Sequence, residues 1–180
     1  MKKLFLLLIC CLLITCKKDE ITLPIFHPGP LDTGYCEAFR DGKRWKATAF
    51  ARHHWGIEGY IGLDFVTYSE FGERREKIAL NEISIKEGKH FLRGGILDVY
   101  DGFVGSSFGV HESDGDVLGP LYLLKEDFEN GYVLITKMDT VSNVVEGMFN
   151  EIRFYNSSGH QQYPAEVTFR LGKFSMKIID

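Results

Sequence analysis

Val167-Thr168-Phe169-Arg170-Leu171-Gly172-Lys173-Phe174-Ser175-Met176-Lys177-Ile178 decides the fold class. Val167, Phe169 and Leu171 alternate with Thr168 and Arg170. After Gly172 the apolar residues resume at Phe174, Met176 and Ile178, separated by Ser175 and Lys177. Side chains of a strand point alternately to its two faces, so a period of two marks a strand with one face buried. The stretch predicts a pair of amphipathic strands around Gly172, with Phe169 and Phe174 in the core.

The same alternation runs back through the chain. Val144 to Phe149 and Ile152 to Tyr155 read as one bent strand, and Tyr132 to Met138 and Leu121 to Leu124 as two more. Val104 to His111 and Ile96 to Tyr100 continue the series, and Lys125 to Asn130 has room for one helical turn. Ile78 and Leu80 are followed by Ile83 and Ile85, a change of parity that predicts a bulge near Asn81-Glu82. Ile57, Gly59, Ile61, Leu63 and Phe65 alternate with polar neighbours. In Arg44 to Ala51, Trp45, Ala47, Ala49 and Ala51 share a face. Asp41-Gly42-Lys43 joins that strand to Tyr35–Arg40 as a hairpin. Trp45, Leu63 and Phe149 are further core residues by strand face. No segment of 10 or more residues carries a 3.6-residue apolar period. Nine or ten strands with short glycine-bearing connections predict an all-β fold, a single antiparallel β-sandwich or barrel domain over residues 34–180.

The first residues follow a different logic. Met1-Lys2-Lys3, an apolar run from Leu4 to Thr15 and then Cys16-Lys17-Lys18-Asp19-Glu20 give a basic, an apolar and a polar region in signal-peptide order. The apolar run is well short of the ~20 residues of a spanning helix. Leu13-Ile14-Thr15-Cys16 resembles a bacterial lipobox, which implies cleavage after residue 15 and acylation of Cys16. Residues 1–15 are then a lipoprotein signal peptide and residues 16–33 a lipidated cysteine with a flexible tether, broken by Pro24, Pro28, Gly29 and Pro30. Lys18-Asp19-Glu20 resembles the signal that sends lipoproteins of Bacteroidota to the cell surface, which implies an outer-membrane location exposed to the exterior.

Two structural motifs carry a wider resemblance. Val145-Glu146-Gly147-Met148-Phe149 and Val167 to Phe174 resemble the paired "xxGxF" strands of small β-rich lipoproteins of unknown function common in Bacteroidota. Phe39-Arg40-Asp41-Gly42-Lys43-Arg44-Trp45-Lys46-Ala47 resembles their opening "xxGxxWxA" strand pair. The resemblance covers both ends of the domain and implies glycine at bends or turns and aromatics in the core. It transfers no catalytic residue.

Composition narrows the functional classes. The chain has 180 residues and a net charge of −4, and loss of residues 1–15 would remove Lys2, Lys3 and no acid. Nucleic acid is a poor partner for so acidic a chain. Lipid, rather than a basic patch, supplies the expected membrane affinity. Of four cysteines, Cys10 and Cys11 leave with the signal and Cys16 carries lipid, so Cys36 has no partner for a disulfide within the chain. Its neighbours Tyr35 and Phe39 mark it as a small buried residue.

Candidate chemistry is sparse. Gly105-Ser106-Ser107-Phe108-Gly109 fits the Gly-x-Ser-x-Gly elbow, with Asp114 and His160 in hydrolase order, but the elbow needs a helix after its serine and Val110-His111-Glu112-Ser113-Asp114-Gly115 is not one. Glu112, Asp114 and Asp116 offer oxygen ligands of the kind calcium takes, without the EF-hand spacing or its bidentate glutamate. They read as a solvated acidic turn. Adjacent His53-His54 on a strand face opposite ways and do not share a metal, and no Cys/His spacing suits zinc. Trp55, Tyr60, Tyr68, Tyr122 and Tyr163 are candidates for a glycan-stacking row. The sequence therefore predicts a lipid-anchored binding or envelope-structural module with no catalytic, cofactor or metal residues. A glycan-binding accessory of a surface uptake system is the alternative, and a serine hydrolase a more remote one.

Overall fold

A computed structural model describes residues 25–29, 31–54, 58–92, 106–112, 115, 118–124, 131–159 and 161–179. Expectations for Cys16 and the signal peptide, the strand at Ile96–Tyr100, the turn at Lys125–Asn130, Gly105, Trp55, Asp114, Asp116 and His160 lie outside them. Ten strands are described, in chain order β1 Gly34–Arg40, β2 Lys43–His53, β3 Tyr60–Tyr68, β4 Arg74–Ser84 and β5 Gly88–Phe91, then β6 Ser107–His111, β7 Leu118–Leu124, β8 Tyr132–Asp139, β9 Val144–Asn156 and β10 Glu166–Ile179. The fold is all-β, as the alternation predicts.

The pairings close on themselves. The hydrogen-bonded order runs β1, β2, β3, β4, β6, β7, β9, β10 and back to β1, a ring of antiparallel neighbours. Closure leaves these strands without the open edges that template aggregation. Strands β8 and β5 stand outside the ring, β8 paired to the first half of β9 and β5 to β8. At its far end β10 outruns β1 and meets β2 directly, in parallel, at Ile178 and Ala51.

Rings fill the interior. Phe169 makes edge-to-face contacts with Trp45 at 5.0 Å and Phe108 at 5.2 Å, and Phe154 lies 6.2 Å away. Phe65 packs against Phe174 at 5.6 Å and Phe149 at 6.1 Å. Trp45, Leu63, Phe149, Phe169 and Phe174 are all buried, as expected, and so are Ala47, Ala49 and Ala51. Cys36 is wholly buried, and burial pushes its thiol far above the ordinary range.

Two expectations are confirmed in detail. The Asp41-Gly42 turn has φ of 47° and 80°, the doubly positive geometry of the tight hairpin turn whose twist matches its strands. Near Asn81-Glu82, Leu63 pairs with Leu80 and Ile61 with Ile83, so two residues oppose Gly62 alone. That is the predicted bulge, with Glu82 at φ 60°.

The strand pair expected around Gly172 is instead one continuous strand, β10. Leu171, expected on the apolar face, is 71% exposed. The buried positions of β10 switch from Val167 and Phe169 to Gly172, Phe174, Met176 and Ile178, so Arg170 and Leu171 both face out. In β9 they switch between Phe149 and Ile152, opposite the same point, and β1 slips register between Glu37 and Phe39. The three strands share one corner, where β9 passes from β8 to β7. Leu171 makes the corner by taking φ 52°.

Candidate functional site

The hairpin β1–β2 carries Arg40-Asp41-Gly42-Lys43-Arg44-Trp45-Lys46 at one end of the ring. Two hydrogen bonds, one backbone to backbone and one to a side chain, staple its turn to β10: Asp41 N donates to Thr168 O at 2.9 Å, and Thr168 N donates to Asp41 Oδ1 at 2.9 Å. Inside the mouth, Arg40 forms an ion pair with Glu76 of β4, and Trp45 Nε1 donates to Glu76 Oε2 at 3.0 Å. The Arg40 guanidinium also lies 5.3 Å from the centre of the Phe108 ring. One half-buried carboxylate thus holds a guanidinium and an indole from two other strands, and charge-assisted bonds of this kind are the stronger ones.

Residues 25–29 pass over this end without regular structure. Gly29 N donates to Thr48 Oγ1 at 2.8 Å, which explains a buried threonine on the outer face of β2. Lys46 Nζ lies 5.0 Å from the Phe26 ring and 5.6 Å from Tyr35. Further along, Lys177 N donates to Thr33 O at 2.6 Å.

Two grooves form between this strap and the barrel. One, about 490 Å³, is lined by Ile25, Phe26, His27, Arg40, Asp41, Lys43, Arg44, Trp45, Lys46, Thr67, Tyr68 and Glu76. The other, about 480 Å³, is lined by Phe26, Glu37, Ala38, Phe39, Arg44, Trp45, Lys46, Leu171 and Lys173. They meet at Phe26, Arg44, Trp45 and Lys46. Each volume is in the range of small-ligand clefts. Burial pushes the Tyr68 phenol up, so it stays protonated as a hydrogen-bonding group in the first groove.

The charge here opposes that of the whole chain. Every lining carboxylate is engaged: Glu37 with Lys46 at 3.1 Å, Asp41 with the Thr168 amide, Glu76 with Arg40 and Trp45. Among the described residues Lys43, Arg44 and Lys173 have no ion-pair partner. The arrangement offers cations beside exposed Phe39 and Leu171, a surface suited to an anion with an apolar part.

Elsewhere the predicted site residues are scattered. Ser107 begins β6, pairs with Ala79 and Leu123, and is followed by more strand. Glu112 is exposed, and its carbonyl accepts from Gly115 N at 2.9 Å and Arg75 Nη1 at 3.1 Å. Among the described residues no three His, Cys, Asp or Glu side chains are placed to share a metal. His53 is exposed at the end of β2 and His54 is half-buried. Burial and Arg74 push the His111 imidazole down, so it is neutral near pH 7. Of the candidates for a glycan-stacking row, Tyr60 is 39% exposed and Tyr68 and Tyr163 are half-buried, whereas Tyr122 lies in the core against Phe108 and takes no part in a surface row.

The groove site was missed by sequence reading. Its local signal is Lys43-Arg44-Trp45-Lys46, three cations and an indole beside a tight turn, which the acidic composition conceals. No protein-family model, no curated protein and no solved structure matches the chain.

Proposed function

We propose that the chain is a lipid-anchored extracytoplasmic binding module, held to a membrane by acylated Cys16 and binding through the grooves beside the β1–β2 hairpin. The observation that carries the binding part is convergence. Two grooves meet on Arg44, Trp45 and Lys46, and unpaired Lys43, Arg44 and Lys173 stand along their walls with exposed Phe39 and Leu171. The ring interior is filled by aromatic side chains, so recognition belongs to the surface and loop ends. The anchor rests on the run from Met1 to Cys16.

Metabolic labelling with an alkyne fatty acid tests the anchor. Cys16→Ala should lose the label, because the thioether forms only on sulfur. Equal labelling of both chains would sink the lipoprotein reading. Binding rather than catalysis is tested by offering general ester and glycoside substrates to the purified protein. Turnover that disappears in Ser107→Ala would favour a hydrolase.

A glycan-binding reading has one observation of its own. Phe91 of β5 is 64% exposed and meets Tyr132 edge-on at 6.5 Å, with Lys89 Nζ 4.1 Å from the Tyr132 ring centre. A glycan array comparing the native chain with Phe91→Ala separates it from the groove.

A further inference from the structure

Ile25, Phe26 and His27 line the first groove, so the chain meets the barrel there. Ile25 follows Cys16 by nine residues. An extended chain advances at most about 3.3–3.6 Å per residue, so nine residues reach no more than about 30 Å. If Cys16 is acylated, this end of the barrel is bound to stay close to the bilayer.

We propose that the rim of the two grooves docks on an anionic lipid surface. Lys43, Arg44 and Lys173 meet lipid phosphates, while Leu171 and Phe39 enter the interfacial layer. The orientation rests on the acylation of Cys16. The docking rests on two other observations. The first is charge complementarity, since these three cations lack carboxylate partners while every carboxylate beside them is engaged. The second is Leu171, a leucine held outward at φ 52° and 71% exposed, next to Lys173 on the same rim. Exposed apolar side chains among cations suit a headgroup–acyl boundary, where both find partners. Each lysine or arginine near such a surface strengthens partitioning about fivefold, within a Debye length.

The test uses the acylated full chain in vesicles, with a nitroxide attached through Leu171→Cys. Cys36 is buried and acylated Cys16 has no free thiol, so labelling is confined to position 171. In vesicles containing phosphatidylglycerol the label should be shielded from a water-soluble nickel chelate and open to oxygen. In pure phosphatidylcholine it should remain open to the chelate. Arg44→Glu with Lys173→Glu, both at exposed positions, should lower the docked population at least tenfold. Equal chelate access in both lipids would overturn the proposal. So would a saturable response to inorganic phosphate in phosphatidylcholine with none to phosphatidylglycerol, which would assign the rim to a soluble anion. Failure of the anchor is read separately. A chain that takes up no fatty acid yet floats only with anionic vesicles would keep the docking surface and lose the tether.

Discussion

Leu171 holds a backbone angle that side-chain-bearing residues seldom adopt outside turns, in the middle of a 14-residue strand. The left-handed conformation costs a leucine roughly 1 kcal/mol, because its Cβ crowds the following carbonyl. Glycine escapes that cost but brings a more flexible unfolded chain. Leu171→Gly should therefore leave stability unchanged or raise it by up to about 0.5–1 kcal/mol in urea unfolding. A loss beyond about 1 kcal/mol would show that the leucine packs against the barrel. Cys36 makes a second residue-scale case. Its thiol is wholly buried and desolvation holds it protonated, whereas the thiolate is the reactive form. A thiol reagent should label it only as fast as the protein unfolds; labelling in the native state at the rate of a free thiol would contradict its burial. The burial of Cys36 was legible from its neighbours. The exposure of Leu171 was not, because alternation continues to Leu171 and only the partner strands place the corner before Gly172.

Strands β9 and β10 explain the repeated Gly-x-Phe pattern. In register, Gly147 stands opposite Phe174 and Gly172 opposite Phe149. A Cβ on Gly172 would overlap the Phe149 ring, and one on Gly147 would meet the Phe174 ring and Leu134 O. Each phenylalanine covers the glycine of the other strand, and the reciprocal pair is the reason for both glycines. The sequence shows two glycines and two aromatics at equal spacing, but their reciprocity is a property of register between distant segments. Gly172→Ala should cost about 1–3 kcal/mol through overpacking, and Phe149→Leu in the same chain should recover part of it. Strict additivity of the two changes would refute the contact. The outer face of the pair carries a charge ladder, with Arg170 directly opposite Glu151 and its Nε 2.6 Å from Glu151 Oε2. The hydrogen bond from Arg170 holds the Glu151 carboxyl below its ordinary range. A depressed folded-state value means that its stabilisation is present above the unfolded value and is lost as pH falls through the folded one. Arg170→Gln should thus lower stability near neutral pH and make the acid limb below about pH 4 less steep. Identical acid limbs would exclude the pair from the pH response.

At the scale of the whole molecule, strand content and the buried faces were legible because period-two alternation is local. Ring closure was not, since it depends on β1 meeting both β2 and β10 and on β4 passing over β5 to reach β6. The groove was concealed for the same reason. Its walls come from residues 25–27, 37–41, 43–46, 67, 68, 76, 171 and 173, and proximity between them exists only after the ring closes. Phe169 marks the centre of that closure, touching rings on β2, β6 and β9 from β10. Phe169→Ala should cost on the order of 3–5 kcal/mol, and a loss below about 1 kcal/mol would deny it that place. The strap, by contrast, lies outside the ring, and every pairing that closes the ring begins at Gly34 or later. A chain beginning at Thr33 loses the Gly29–Thr48 hydrogen bond and the cover over Thr48, worth about 1–2 kcal/mol. It should still unfold in one cooperative heat transition, a few degrees lower, and dithiothreitol should not shift it, because Cys36 is the single cysteine left. It should also lose the affinity of the grooves, which are missing Ile25, Phe26 and His27. Broad, non-cooperative unfolding of that chain would make the strap part of the folding unit, and unimpaired binding would place recognition away from the hairpin.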